Sequence, residues 1–165
     1  MTKIIIGCDP DSDKSGIAIY ANGELKDICS MTLIQIYRLF AQRATDRIAG
    51  ANNICELHIE NLNGNKSSAF GHTTKQSMQV KNKISEGVGK CKQVQTEIER
   101  IAEYFEIKIV RHQVNSMWKS QIQKKIFESV TGWKGSSNED SRSAAYFGYL
   151  GVITGKATND KLLEL

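Results

Sequence analysis

The apolar positions of this chain come in short runs before they come in periodic ones. Residues 3–9 read KIIIGCD, apolar on both faces, which predicts a buried strand that stops on a carboxylate. Residues 15–21 (SGIAIYA) predict a second strand. Asn22-Gly23 is a strong hairpin signal, and 24–29 (ELKDIC) predict a third strand pairing back. The period then changes. Leu33, Ile36, Tyr37, Phe40, Ala44 and Ile48 recur at helical spacing, with Thr32 and Gln35 as a capping box and Gly50 as a stop. Residues 54–61 (ICELHIEN) predict a fourth strand, and 61–76 a long polar loop. A helix is predicted over 77–104, where Gly87 and Gly89 allow close helix–sheet packing or a kink. A fifth strand follows over 106–114, then helices over 116–130 and 139–154 separated by a loop at 131–138. The order β-β-β-α-β-α-β-α-α predicts an α/β fold, a five-stranded mixed sheet with helices on both faces and strands one to three antiparallel.

Three acids fall at the ends of these elements. Asp9 closes the first strand, Glu60 closes the fourth, and Asp140 opens the last helix behind Glu139. If strands one and four are parallel neighbours, Asp9 and Glu60 lie side by side, which is unfavourable unless a cation sits between them. All-oxygen ligands suit Mg²⁺ or Mn²⁺ rather than zinc. Three carboxylates can hold two such ions about 4 Å apart for phosphodiester hydrolysis. Each acid also has a plainer use. Asp9 precedes Pro10 and suits a turn. Glu60 suits an exposed strand end. Asp140 suits a helix dipole, with Ser136, Ser137 or Asn138 as the cap.

The 165 residues suffice for one domain, read as 1–165, with a real core. No stretch approaches the roughly 18 apolar residues of a membrane span, and the start lacks a signal-peptide pattern. Cys8, Cys29, Cys55 and Cys91 form no CxxC pair, which suits reduced thiols in a cytoplasmic protein. The net charge of +4 is unevenly spread. Residues 61–134 hold thirteen Lys/Arg against six Asp/Glu, while 1–60 hold six against eight and 135–165 three against four. A basic middle suits either a solvated surface or a polyanionic partner.

In that order, GCDPDSDKSGIAI, IENLNG, SMQVKNKISEGVGKCKQ, IVRHQVNSMWKSQI and NEDSRSAAYFGYLG resemble the successive motifs of RuvC-type Holliday-junction resolvases, of the phage or mobile-element branch. The resemblance implies an RNase H-like fold and a homodimer whose contact helix lies within 77–104. It implies a Mg²⁺-dependent enzyme, with Mn²⁺ able to substitute, that nicks four-way DNA junctions symmetrically in recombination and repair. Asp9, Glu60 and Asp140 would then be the catalytic metal ligands for two ions, Asp9 and Asp140 sharing one and Asp9 and Glu60 the other. Lys75, Lys81, Lys119, Lys134 and Arg142 would contact DNA, and Phe70 or His72 would stack on a base. Trp118, expected in a helix, and Trp133 are expected to pack. Branched DNA and a second copy are the implied partners, with no membrane and no nucleotide cofactor. Two departures stand out. Asp11 replaces a glycine after Asp-Pro, as a turn residue or an added metal contact. Ser143 stands where many members place a second acid, so Asp140 serves alone unless Glu139 helps.

Rival readings use the same acids. One is a ribonuclease H or a nuclease of flaps and other branched DNA. Another is a non-catalytic domain that binds branched DNA. A sugar-kinase or actin-like ATPase is the least favoured, because it needs two copies of the fold and 165 residues hold one.

Overall fold

The computed structural model describes residues 1–50, 53–64 and 75–163, the last nine of these as backbone only. Five strands form one sheet in the order β3-β2-β1-β4-β5: β1 (Thr2–Asp9), β2 (Ser15–Ala21), β3 (Glu24–Met31), β4 (Asn53–Glu60) and β5 (Lys108–His112). The first three are antiparallel, and β1, β4 and β5 run parallel. The sheet is therefore the mixed one the sequence predicts. Asn22 and Gly23 both have positive φ (50° and 84°), the conformation whose twist suits a two-residue hairpin.

Helices cover both faces. On one side lie α1 (Leu33–Ile48) and α2 (Met78–Tyr104). Ile4, Ile6, Cys8, Leu57 and Ile59 meet Ile36, Phe40, Ile98 and Ala102 there, all buried. Thr32 and Gln35 form the reciprocal cap of α1. On the other side α4 (Glu139–Leu163) lies across the sheet, joined by α3 (Gln121–Thr131). Ile5, Ala18 and Tyr20 meet Ala144, Ala145, Trp118 and Phe127. Tyr20 donates its hydroxyl to the Ala145 carbonyl at 2.6 Å, fixing α4 along the sheet.

The approach of α4 is closer than side chains permit. A Cβ on Gly7 of β1 would strike the Ala144 carbonyl and lie 2.8 Å from the Gly148 nitrogen; one on Gly16 of β2 would strike the Asp140 carbonyl. These two glycines set the depth of the helix.

Four expectations need correction. The fifth strand starts at Lys108, because α2 ends in a Schellman-type turn with Glu106 left-handed (φ 56°) and Ile107 N–H bonded to the Ala102 carbonyl at 2.8 Å. The helix expected over 116–130 starts at Gln121; Trp118 has φ 66°, and Ser120 supplies the cap. The last helix continues past 154 to Leu163. Gly87 and Gly89 neither break α2 nor bring it onto the sheet, since a Cβ at either meets nothing within 4 Å. Among the described residues no helix is long and apolar enough to cross a membrane.

Candidate active site

The register of the sheet assembles the acids. Cys8 pairs with Ile59, so the next residues, Asp9 and Glu60, end adjacent parallel strands side by side. Both are buried, at 4% and 3% exposure. Asp9 also pairs with Gly16 of β2, and Gly16 lies directly beneath the Asp140 carbonyl. The first turn of α4 is thereby set over the tip of β1. Asn138 and Ser141 cap that turn reciprocally, Ser141 N–H donating to Asn138 Oδ1 at 2.8 Å and Asn138 N–H to Ser141 Oγ at 3.0 Å.

The charges are under tension. Burial, then the Asp9 charge and a hydrogen bond with Asp9, push the Glu60 carboxyl up to about 8, against Lys119 and an Asn115 main-chain hydrogen bond. Burial, Asp9 and Asp11 raise Asp140 as well. Lys119 Nζ lies 3.1 Å from Asp9 Oδ2. Burial works against that ammonium, but Asp9, Glu60 and Asp140 outweigh it and hold its pKa above the usual lysine value. The Lys119 ammonium is thus the close partner of Asp9 Oδ2, a buried oxygen that has no other among the described residues.

A hard divalent cation fits that donor set: oxygen ligands only, mutual repulsion to relieve, and a buried carboxylate oxygen that already draws a cation, the Lys119 ammonium. The side chains are not a finished cage. Among the described residues no three His, Cys, Asp or Glu groups converge closely enough to hold a metal as they stand. Seating an ion would need the acids to draw together, and at Asp9 Oδ2 it would take the place Lys119 Nζ holds at 3.1 Å.

In the metal-free protein this arrangement predicts a pH dependence. Glu60 keeps its proton when folded to about pH 8, whereas unfolded it loses it near the usual 4.5. The folded state then binds more protons across that window, so stability falls as pH rises through it and levels off above. Urea midpoints in EDTA from about pH 5 to about pH 9 should show the decline, and Glu60→Gln should flatten it. A wild-type profile without that decline would remove the Asp9–Glu60 coupling.

The other sequence candidates separate. Lys75 and Lys134 are exposed, and Lys81 is half-buried in the first turn of α2. Phe70 and His72 lie outside the described residues. Glu139 is exposed. Asp11 builds the turn after β1, its Oδ1 accepting from Asp13 N–H at 3.2 Å and its own N–H donating to Ser15 Oγ at 3.1 Å. Ser143 is buried, with no hydrogen-bond partner for its hydroxyl. Trp118 is buried against Phe127, Tyr146 and Tyr149, as expected of a packing group although it lies in a turn. Trp133 is partly buried in the same cluster.

Arg142 is a correction. Read from the sequence as facing DNA, it is 4% exposed and turned inward. Its guanidinium donates to the carbonyls of Trp118 (2.8 Å), Lys119 and Ser137 (3.3 Å). An arginine on α4 thus holds the left-handed turn that carries Lys119 to Asp9. Arg142→Met should cost about 3 kcal/mol, since buried carbonyls lose charged donors. Chemical denaturation measures this, and a change below about 0.5 kcal/mol would show the clamp to be idle.

RuvC of Thermus thermophilus in complex with a Holliday junction substrate superposes on 94% of this chain and 97% of its own, with a TM-score of 0.52 and 9% sequence identity. A second structure of Thermus thermophilus RuvC gives 0.49 over 97% of both chains, also at 9% identity. The fold is RNase H-like. No protein-family model matches the chain, and no curated protein matches its sequence.

Within this RNase H-like sheet, a second layer of polar residues escaped the sequence reading. Gln95 of α2 is fully buried. Its amide donates to Asn61 Oδ1 (3.1 Å) and Glu99 Oε1 (2.8 Å), and its oxygen accepts Asn63 N–H (3.0 Å). Arg111 of β5 grips Glu99 with two bonds, at 2.9 and 3.0 Å. Helix, strand and the turn after Glu60 are tied at one point. The only signal in sequence is a glutamine at a core position of a helical repeat, which periodicity alone scores as an error in the pattern.

Proposed function

We propose that this chain is a divalent-metal-dependent endonuclease that hydrolyses phosphodiesters in branched DNA, with the four-way junction as substrate. The observation that carries the reading is the buried pairing of Asp9 with Glu60 at the tips of β1 and β4, with Asp140 held over them by Gly16. Asp9, Glu60 and Asp140 would hold Mg²⁺, or Mn²⁺ in its place, as two ions. When bound, such ions activate water and stabilise the leaving oxygen of the phosphodiester. The chain's own part is to present three oxygens from rigid element ends and to keep the site shielded. Lys119 supplies a cation that neutralises Asp9 before loading, and that a phosphate can draw off afterwards.

Branched DNA is favoured by two observations. The similar RuvC structure is a complex with a Holliday junction substrate. In this chain the excess positive charge lies in residues 61–134, and Lys75 and Lys134 are exposed. A two-fold dimer would present one site to each of two opposed strands. The first half of α2, where Met78 and Val80 are exposed, is the proposed contact. The chain 1–165 would then act as one nuclease domain per protomer.

The test is cleavage of a synthetic four-way junction, a matched duplex and an RNA–DNA hybrid, in Mg²⁺ or EDTA. Paired symmetric nicks in the junction alone, lost in EDTA, are the expected result. Cutting of the hybrid alone would move the function to a ribonuclease H. Tight junction binding without cleavage in Mg²⁺, or in Mn²⁺ run beside it, would make the chain a binder of branched DNA.

A further inference from the structure

The far end of the sheet carries polar chemistry that the acids do not use. A cavity of about 820 Å³ opens there between α4 and the sheet, running from the starts of β1 and β4 along β5 to its last residue, His112. The apolar cluster under α4 draws residues from β1, β2 and β3 and none from β5, where the helix instead meets rings, Phe147 stacking on His112 at 6.0 Å and Gly151 lying over His58. Ile5, Ile54, Val110 and Val152 give the cavity apolar walls.

Its floor is polar. Glu56 Oε2 lies 3.1 Å from His58 Nε2, and His58 Nδ1 lies 2.8 Å from His112 Nε2. The Glu56 carboxylate only accepts, so His58 carries its proton on Nε2. His58 Nδ1 must then accept from His112 Nε2–H, which leaves His112 Nδ1 as an acceptor. His58 is 3% exposed, and its ring stacks on His112 at 5.1 Å. At the rim, Lys3 and Lys108 approach Glu56 at 3.6 and 3.5 Å, two cations against one carboxylate.

Apolar residues of equal volume would pack this interface at least as stably, because a buried polar trio loses hydration. A cavity of this size, apolar in its walls with a few convergent polar groups, is the usual form of a small-molecule site. We propose that it binds a small organic anion with a flat apolar body, the acidic group at Lys3 and Lys108 and the body between Val110 and Val152. The anion-binding end, at Lys3 and Lys108, lies at the strand starts away from Asp9 and Glu60, while His112 at the cavity's other end is the register partner of Glu60; the proposal does not depend on the nuclease reading.

The probe is 8-anilinonaphthalene-1-sulfonate, an aromatic anion, titrated into the full chain. One saturable equivalent is expected, with shifts of the His58 and His112 ring resonances. Lys108→Ala should weaken binding at least tenfold, and Thr154→Trp, which places bulk at the lining, should abolish it, both without changing Tm. Competition with adenosine monophosphate and with 2-naphthoate separates a phosphate from a carboxylate as the acidic group on a flat ring, and displacement by either supports the site. Displacement by neither, binding beyond one equivalent, or indifference to both substitutions would overturn it. So would loss of binding on Ile122→Ser, which would place the probe on the exposed face of α3, where Ile122 is 82% exposed.

Discussion

Asp9→Asn is expected to lower metal-dependent junction cleavage by at least about 10³-fold, about 4 kcal/mol of barrier, while the protein stays folded. Asparagine keeps the shape of aspartate and removes one charge from a pair that repels. Asp9 sits at the centre of the arrangement, beside Glu60 through β4, beneath Asp140 through Gly16, and against Lys119 directly. In the proposed scheme it is the one acid shared by both ions. The Asp9 charge and hydrogen bond are among the causes that hold Glu60 at about 8, so Glu60 should titrate lower in the variant. Cleavage rates in Mg²⁺, a thermal melt and the Glu60 carboxyl resonance read the three consequences separately. Unchanged cleavage would place the active site elsewhere. Lost cleavage together with a collapsed melt would show that the aspartate is structural.

Gly7→Ala is expected to destabilise the fold by about 3 kcal/mol or more, lowering Tm by about 6–12 °C for a domain of this size. The added methyl meets backbone on both sides, the Ala144 carbonyl and the Gly148 nitrogen, which no rotamer change can move aside. Gly148 cannot retreat freely, because a Cβ at its own position already lies 2.7 Å from the Tyr20 ring. The helix must lift, carrying Asp140 away from Asp9, so activity should fall further than the unfolded fraction explains. Gly87→Ala is the control. Its Cβ meets nothing within 4 Å in the middle of α2, so it should stabilise by about 0.5–1 kcal/mol. Equal melting shifts in the two variants would mean that α4 does not depend on contact through Gly7.

Much of the frame was legible because its causes are local. The alternation and length of apolar runs marked the strands, and the change to a helical period marked α1. Asn22-Gly23, Thr32 with Gln35, and Gly50 are signals within four residues of what they control. The strand tips at Asp9 and Glu60 were readable for the same reason, since a carboxylate that ends a buried run is visible without knowing its neighbour. The misread boundaries both turn on left-handed backbone at residues whose side chains do not favour it. At Glu106 the turn is local, closed by Ile107 N–H on the Ala102 carbonyl, but no glycine marks it; at Trp118 a tertiary contact, Arg142 on its carbonyl, holds the turn.

Arg142 and Gln95 mark the limit of such reading. A charged residue two positions after an acid reads as a surface cation, and a glutamine in a helix reads as solvated. Both are buried, and each needs, besides one near neighbour, partners more than twenty residues away in sequence. The kinds of element, their order and the acids at their ends follow from local sterics and from which residues leave water, so they are legible in the residues alone. The tertiary structure alone decided that β1 lies parallel to β4, that glycine lets α4 set Asp140 over Asp9, and that Lys119 shares their charge. Those are long-range packing outcomes, and only the folded chain brings their partners within reach.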